Sequence, residues 1–135
     1  MWINAWSNSN QVIPPTTDVK FDLSTMSPGA GTVSSFSITL GGTPELHAFD
    51  VSLGAVASGN PCILSLFANG LEKLELRTGI FPLTGSFLGS HAVILIPANA
   101  TLSVRSLNSA VCSLGNGPSL STPSNSAFLR IMRID

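Results

Sequence analysis

The sequence predicts an all-β protein, built as an antiparallel β-sandwich or jelly roll. Apolar and polar residues alternate in residues 19–23, 36–40 and 49–53, and this alternation is typical of strands with one buried face. Clusters of Gly, Pro, Asn and Ser separate the segments, and no long stretch has the apolar period of an amphipathic helix. Short strands without crossover helices pair antiparallel, which gives the sandwich or jelly roll.

Further strands are predicted from short apolar runs between turn residues. These segments are residues 63–68, 92–96, 101–107, 110–114 and 128–134. Asn69-Gly70 follows the first of them and predicts a type I′ hairpin, because both residues accept the positive φ that this turn requires. The charges of residues 71–77 could also line a two-turn helix, but Leu74, Leu76 and the preceding Asn-Gly favour a strand.

A chain of 135 residues predicts one domain. We place its boundary after residue 17, with residues 1–17 as an N-terminal lead-in and residues 18–135 as the jelly-roll domain. The lead-in contains Trp2, Trp6 and Pro14-Pro15. The two tryptophans could stack on a sugar, but near a terminus we favour a role in anchoring the segment to the domain or to a neighbour.

Charged side chains are scarce, with six Lys or Arg and seven Asp or Glu, or 10% of the chain, against roughly 25% in ordinary globular proteins. A monomer of 14.0 kDa exposes roughly 6,700 Å², which leaves about one charge per 500 Å². Either neutral polar residues cover the surface, or copies of the chain cover one another. The net charge of −1 excludes a nucleic-acid partner, since binding phosphates needs clustered Lys and Arg.

The remaining bulk features exclude a membrane helix and leave two questions open. The longest apolar run, residues 92–98, is far shorter than the ~18 residues of a transmembrane helix, so we predict no membrane span. The N-terminus lacks the basic and apolar regions of a signal peptide, so the chain is either the mature end of a longer protein or needs no cleaved signal. Cys62 and Cys112 are compatible with one disulfide or with two buried thiols.

Candidate catalytic and metal-binding residues are few. His47 and Asp50 could form part of a nucleophile–base set, but on a strand residues three apart point to opposite faces. The spacing of His47, His91 and the two cysteines is not that of zinc ligands. The close carboxylate pairs are Asp18 with Asp22 and Glu72 with Glu75. We therefore predict that the protein is not an enzyme and has no catalytic residue, metal or cofactor.

One segment concentrates charge. Glu72, Lys73, Glu75 and Arg77 could form a partner-facing edge or an intersubunit salt-bridge set. The second interpretation is a charged edge strand that prevents sheets from pairing with one another. We favour the second interpretation.

The order of segments resembles the second half of the C1q/tumour-necrosis-factor-like jelly roll. An apolar strand at residues 63–67 leads into Asn69-Gly70, residues 89–96 lead into the loop and strand at 97–104, and residues 126–131 contain an aromatic and finish the domain. The resemblance covers residues 30–135. In its low charge and its Ser, Thr, Asn and Gly content, the chain is similar to the C-terminal heads of bacterial collagen-like spore-surface glycoproteins and to small jelly-roll heads of some phage spikes.

This resemblance implies a homotrimer whose end strands pack apolar side chains around a threefold axis. It places Phe128, Leu129, Ile131 and Met132 at the trimer interface, because residues 128–134 are apolar on both faces of a strand. The alternative is a strand buried between two sheets of a monomer.

The implied function is a non-enzymatic trimeric head or trimerisation domain of a surface filament or spore-coat glycoprotein, with structural and adhesive roles. The alternative is a phage or viral receptor-binding spike that recognises a carbohydrate or protein ligand. Both place the protein outside the cell, on a spore or virion surface. The partners are then other copies of the chain and a carbohydrate or protein receptor.

Overall fold

The computed structural model describes residues 1–57, 62–80, 86–115 and 126–135. Within these ranges the strands are β1 (Trp2–Ser7), β2 (Gln11–Ile13), β3 (Leu23–Met26), β4 (Gly31–Val33), β5 (Ile38–Leu40), β6 (Leu46–Ala57), β7 (Cys62–Ala68), β8 (Leu71–Ile80), β9 (Ser86–Pro97), β10 (Thr101–Ser106), β11 (Cys112–Leu114) and β12 (Ala127–Arg133). No helix in the described residues could cross a membrane. The prediction of an all-β chain is confirmed.

The strands form two antiparallel sheets. The seven-stranded sheet has the order β2-β11-β6-β12-β1-β3, with β9 also paired to β6, and the five-stranded sheet has the order β4-β5-β10-β7-β8. The longest pairing joins β6 to β9, from Leu46 opposite Pro97 to Ala57 opposite Ser86. Strands that neighbour one another in a sheet are mostly distant in sequence, as in the antiparallel sandwich that the sequence predicts.

Alternate residues of both sheets point into one core. In β6 the side chains of Phe49, Val51 and Leu53 are buried, and in β7 those of Leu64 and Leu66 are buried. All five belong to the same apolar cluster. The period of two is the reason, since successive side chains of a strand lie on opposite faces of the sheet.

The N-terminal residues form part of this sandwich, which corrects the boundary predicted at residue 17. Strand β1 lies between β12 and β3, with Ala5 opposite both Leu129 and Ser24. Ile3 and Ala5 are buried in the core. Removing residues 1–17 would therefore open the seven-stranded sheet, so they are not a lead-in that precedes the domain.

Residues 19–23 are predicted as a strand, but only the last of them, Leu23, belongs to one in the structure. Val19 and Phe21 are buried as the alternation predicts. However, Val19 N–H donates to the Val104 carbonyl at 2.7 Å and Phe21 N–H donates to the Ser35 carbonyl at 2.8 Å. These two amides donate to different parts of the chain, so residues 19–23 do not pair continuously with one neighbouring strand. The alternation of apolar and polar residues here reflects only which side chains are buried.

The hairpin between β7 and β8 has the predicted turn, with φ of 49° at Asn69 and 80° at Gly70. Residues 71–77 are a strand, as predicted. The pairing shifts within this hairpin, since Leu66 lies opposite Lys73 whereas Leu64 lies opposite Thr78. Strand β8 therefore bulges between these two pairs.

A disulfide joins Cys62 to Cys112, with a Cα–Cα distance of 5.3 Å. Cys62 begins β7 of the five-stranded sheet and Cys112 begins β11 of the seven-stranded sheet. Both residues are fully buried. The bridge thus ties the two sheets together, and of the two alternatives that the sequence leaves open the structure contains the disulfide.

Candidate interaction face

The outer face of the seven-stranded sheet carries side chains in rows across the strands. Strand register places Trp2 opposite Met132, Met132 opposite Asp50, and Asp50 opposite Val93. Residues opposite one another in antiparallel strands point to the same face. These four residues are called the Met132 row below.

Two further rows lie along the same strands. The Arg130 row consists of Asn4, Arg130, Ser52 and His91. The Phe128 row consists of Trp6, Phe128, Gly54 and Gly89. Adjacent rows are two residues apart along each strand, or about 7 Å. The polar Arg130 row therefore lies between the Met132 row and the Phe128 row, both of which are rich in apolar side chains.

Large apolar side chains are exposed at the Met132 row and beside it. Leu95 is 65% exposed, Val93 55% and Met132 48%. Leu95 lies opposite Ala48, two residues along β9 from Val93. Neighbouring exposed apolar side chains of this kind are typical of a surface that binds another molecule, since burying them recovers about 25 cal/mol per Å².

The structure divides the predicted interface residues between two faces of β12. Leu129 and Ile131 are 0% and 1% exposed and belong to the core. They cannot contact another chain, so their assignment to the interface is wrong. Phe128 and Met132 lie on the outer face, with Phe128 half-buried and Met132 exposed.

Charged groups accompany the apolar side chains on this face. The Asp50 carboxylate is hydrogen-bonded to Nε2 of His91. The Arg130 guanidinium lies 5.8 Å from the centre of the Phe128 ring and has no ion-pair partner among the described residues. A partner covering this face must therefore satisfy one cationic group as well as bury apolar surface.

The sequence-predicted pair of His47 and Asp50 does not form. His47 Nδ1 lies 3.2 Å from the Asp135 carboxylate, whereas Asp50 binds His91. A hydrogen bond from the Ala48 backbone, together with the charges of His47 and Arg133, lowers the pKa of Asp135. Each histidine thus has its own carboxylate, and each pair brings together residues that are distant in sequence.

A groove of 360 Å³ crosses the face where the Met132 and Arg130 rows meet. It is lined by Trp2, Asn4, Asp50, Ser52, His91 and Met132, among others. Trp2 is 41% exposed, and Trp6 is half-buried opposite Phe128. Both tryptophans therefore belong to the interaction face, whether they contact another protein or a sugar.

The predicted charged edge lies on the other sheet, in its terminal strand β8. Arg77 donates two hydrogen bonds of 2.7 Å to the two carboxylate oxygens of Glu72, and this guanidinium lowers the pKa of Glu72. The pair spans the bulge in β8. Glu72 and Arg77, two of the four charges in the predicted edge, are therefore paired with each other. Lys73 and Glu75 form no ion pair among the described residues, and a charged edge strand remains the interpretation that we favour.

The other carboxylate pair noted in the sequence is Asp18 with Asp22, and the two side chains have different surroundings. Asp18 accepts a hydrogen bond of 3.1 Å from Nε of Arg105, while Asp22 is exposed. Across the described ranges, no group of three His, Cys, Asp or Glu side chains could hold a metal ion.

The strand order and the two facing sheets define a class of fold, the C1q/tumour-necrosis-factor-like jelly roll, and solved structures of this class resemble the chain. The globular domain of a zebrafish complement 1qA protein is 9% identical, with a TM-score of 0.63 over 99% of this chain and 97% of that one. Murine APRIL is 10% identical, with a TM-score of 0.63 over 98% of each chain. Rabbit GITRL is 9% identical, with a TM-score of 0.51 over 80% and 79%.

At these identities the likeness establishes the fold. A scan against protein-family models and a search of curated proteins both found no match. The predicted C1q/tumour-necrosis-factor-like fold is confirmed, and it extends over the N-terminal residues that the sequence resemblance did not cover.

Proposed function

We propose that the protein is a non-enzymatic head domain that assembles as a homotrimer and ends a surface filament or spore-coat glycoprotein. Its mechanism is burial of the interaction face by neighbouring copies, so that folding and association stabilise each other. The observation that carries this proposal is the set of exposed apolar side chains on one face, in a chain whose charged residues amount to only 10%.

The surface area that a trimer would cover supports the proposed assembly. One isolated chain exposes 6626 Å². Each protomer of a cyclic trimer takes part in two interfaces, and an interface of standard size covers roughly 800 Å² of each partner. Association would therefore cover about a quarter of the isolated chain's surface, which reduces the mismatch between apolar surface and scarce charge.

Two further features support a surface location. The Cys62–Cys112 disulfide suits an oxidising environment outside the cell. The resemblance to collagen-like spore-surface heads and phage spike heads points to a spore or virion surface. Presentation of loops to a partner is then the adhesive part of the function.

Sedimentation equilibrium tests the trimer. The expected mass at micromolar concentration is three times the 14.0 kDa of one chain. Leu95→Lys should shift the mass toward the monomer, because it places a cation on the interaction face. Leu74→Lys is the matched control, since Leu74 is also 65% exposed but lies on β8 of the other sheet.

Two results would contradict the proposal. The first is a mass of 14.0 kDa for the wild-type protein throughout the micromolar range. The second is a trimer that Leu95→Lys leaves intact and Leu74→Lys dissociates, because this places the interface on the other sheet.

The second candidate function is a phage or viral receptor-binding spike domain with a carbohydrate or protein ligand. A second groove, beside β2, favours it: none of its lining residues belongs to the three rows. A head domain that only trimerises needs no such groove. Binding of a soluble ligand by the intact trimer would support the spike, and trimerisation without binding would support the structural role.

A further inference from the structure

We infer that this second groove, at the side of the sandwich, binds a neutral saccharide. The groove has a volume of 730 Å³, within the usual range for small-ligand sites. Strand β2, the segment that follows it and the turn at residues 34–37 form its walls. The inference gives a ligand class to the adhesive role proposed above and does not depend on the oligomeric state.

The apolar part of the groove is an exposed aromatic ring with an aliphatic neighbour. Phe36 is 52% exposed and Val12 71%, and both line the groove with Pro14. The apolar C–H face of a pyranose ring packs against such a surface, as apolar groups pack on aromatic faces elsewhere. The groove therefore offers a platform for one face of a sugar.

Polar groups around this platform match the hydroxyls of a sugar. The Asn10 amide can donate and accept hydrogen bonds, and Lys20 can only donate. The Thr17 hydroxyl donates to the Pro14 carbonyl at 2.7 Å, so toward a ligand it is an acceptor. Sugar hydroxyls both donate and accept, and they can satisfy all three groups at once.

The charges of the groove favour a neutral ligand. Arg105 donates to Oδ1 of Asp18, and Oδ2 of Asp18 has no hydrogen-bond partner among the described residues, so it can accept from a hydroxyl. Lys20 has no ion-pair partner in the same ranges. A carboxylate or phosphate that approached Lys20 would meet Asp18 in the same groove, whereas a neutral polyol uses both.

Hydrogen bonds hold the walls in place before a ligand arrives. The Gln11 side-chain amide donates to the Lys20 carbonyl at 2.9 Å and accepts from Lys20 N–H at 2.8 Å. Ser34 N–H donates to the Ser37 carbonyl at 2.9 Å, which fixes the turn that carries Phe36. A preformed site loses little conformational entropy on binding. Because the Gln11 side chain already joins β2 to the backbone of residue 20, the groove is poorly suited to a peptide that adds as a further strand.

Saturation-transfer NMR on the intact protein tests the inference. The probes are glucose, galactose, mannose and N-acetylglucosamine, with glucuronic acid and N-acetylneuraminic acid as acidic comparisons. We expect at least one neutral sugar to bind at millimolar concentration and neither acidic sugar to bind more tightly. Absence of binding by all four neutral sugars, or preference for an acidic one, would overturn the inference.

Variants locate the binding site. Phe36→Ala should weaken binding of that neutral sugar about tenfold, which is typical of losing an anchoring side chain, and Asp18→Asn should weaken it by removing an acceptor. Leu71→Ala is the control, because Leu71 is 69% exposed on the edge strand β8. Unchanged binding by Phe36→Ala would place the sugar elsewhere. If the protein bound a sugar as a monomer, the trimer proposal would be wrong and the saccharide inference would still hold. Failure of the trimer proposal can therefore be told apart from failure of the saccharide inference.

Discussion

Removing the disulfide should have a large effect on the free energy of unfolding. The variant Cys62→Ala/Cys112→Ala opens a cross-link between residues 50 apart in sequence. A loop of this length loses enough conformational entropy in the unfolded chain to be worth about 4 kcal/mol at 25 °C. Domains of this kind have total stabilities of about 5–15 kcal/mol, so the variant should be far less stable than the wild type.

Urea unfolding followed by tryptophan fluorescence measures this effect, at one fixed protein concentration because the proposed association would add to stability. The midpoint should fall, and the m-value should rise because an unfolded chain without the cross-link exposes more surface. Wild-type protein unfolded in a reducing agent is the control and should resemble the variant. Two reactive thiols in the unreduced unfolded protein, or a loss below about 1 kcal/mol, would refute the reasoning.

Two other predictions concern β12 and the bulge in β8. Leu129→Ala should lower the free energy of unfolding by about 2–5 kcal/mol, because Leu129 is fully buried. Met132→Ala should instead mainly weaken association, measured by sedimentation. If the two variants lowered the free energy of unfolding and weakened association to the same extent, the assignment of the two faces of β12 would be wrong. Because Arg77 lowers the pKa of Glu72 below its usual value of 4.5, this ion pair stabilises the fold above that pH and is lost on acidification. The difference in urea midpoint between wild type and Glu72→Gln should therefore shrink below pH 4.5, and a constant difference would count against the pair.

The parts of the fold that follow from local patterns could be predicted from the sequence. Asn69-Gly70 fixes its turn through its own backbone preferences, and the alternation in β6 has apolar residues on the inner face. Strand β1 does not follow from the sequence because it lacks a clear alternation of apolar and polar residues. Its inner face has Ile3 and Ala5 and its outer face has Trp2 and Trp6, so apolar residues occur on both faces and do not alternate with polar ones.

The interaction face depends on strand register, which the sequence alone does not determine. Strand geometry predicts that Phe128 and Leu129 lie on different faces, but because both faces of residues 128–134 are apolar, only the fold shows that Leu129 is the one inside. Asp50 and His91 are 41 residues apart and meet only because β6 pairs with β9. The side groove was missed for the same reason, since it brings together β2 and a turn of the other sheet.

The order of the rows limits how two copies can align. A shift of one copy by two residues along a strand, about 7 Å, would move each row to the position of its neighbour. In the proposed trimer, the surface of the neighbouring copy that pairs with Arg130 would then face an apolar row, and burying an unpaired guanidinium is costly. Smooth apolar surfaces can slide past one another, but a polar row between apolar rows gives them a single register. In the proposed trimer, the sparse charges of this chain would thus determine how the copies align, while the apolar side chains would supply most of the free energy of association.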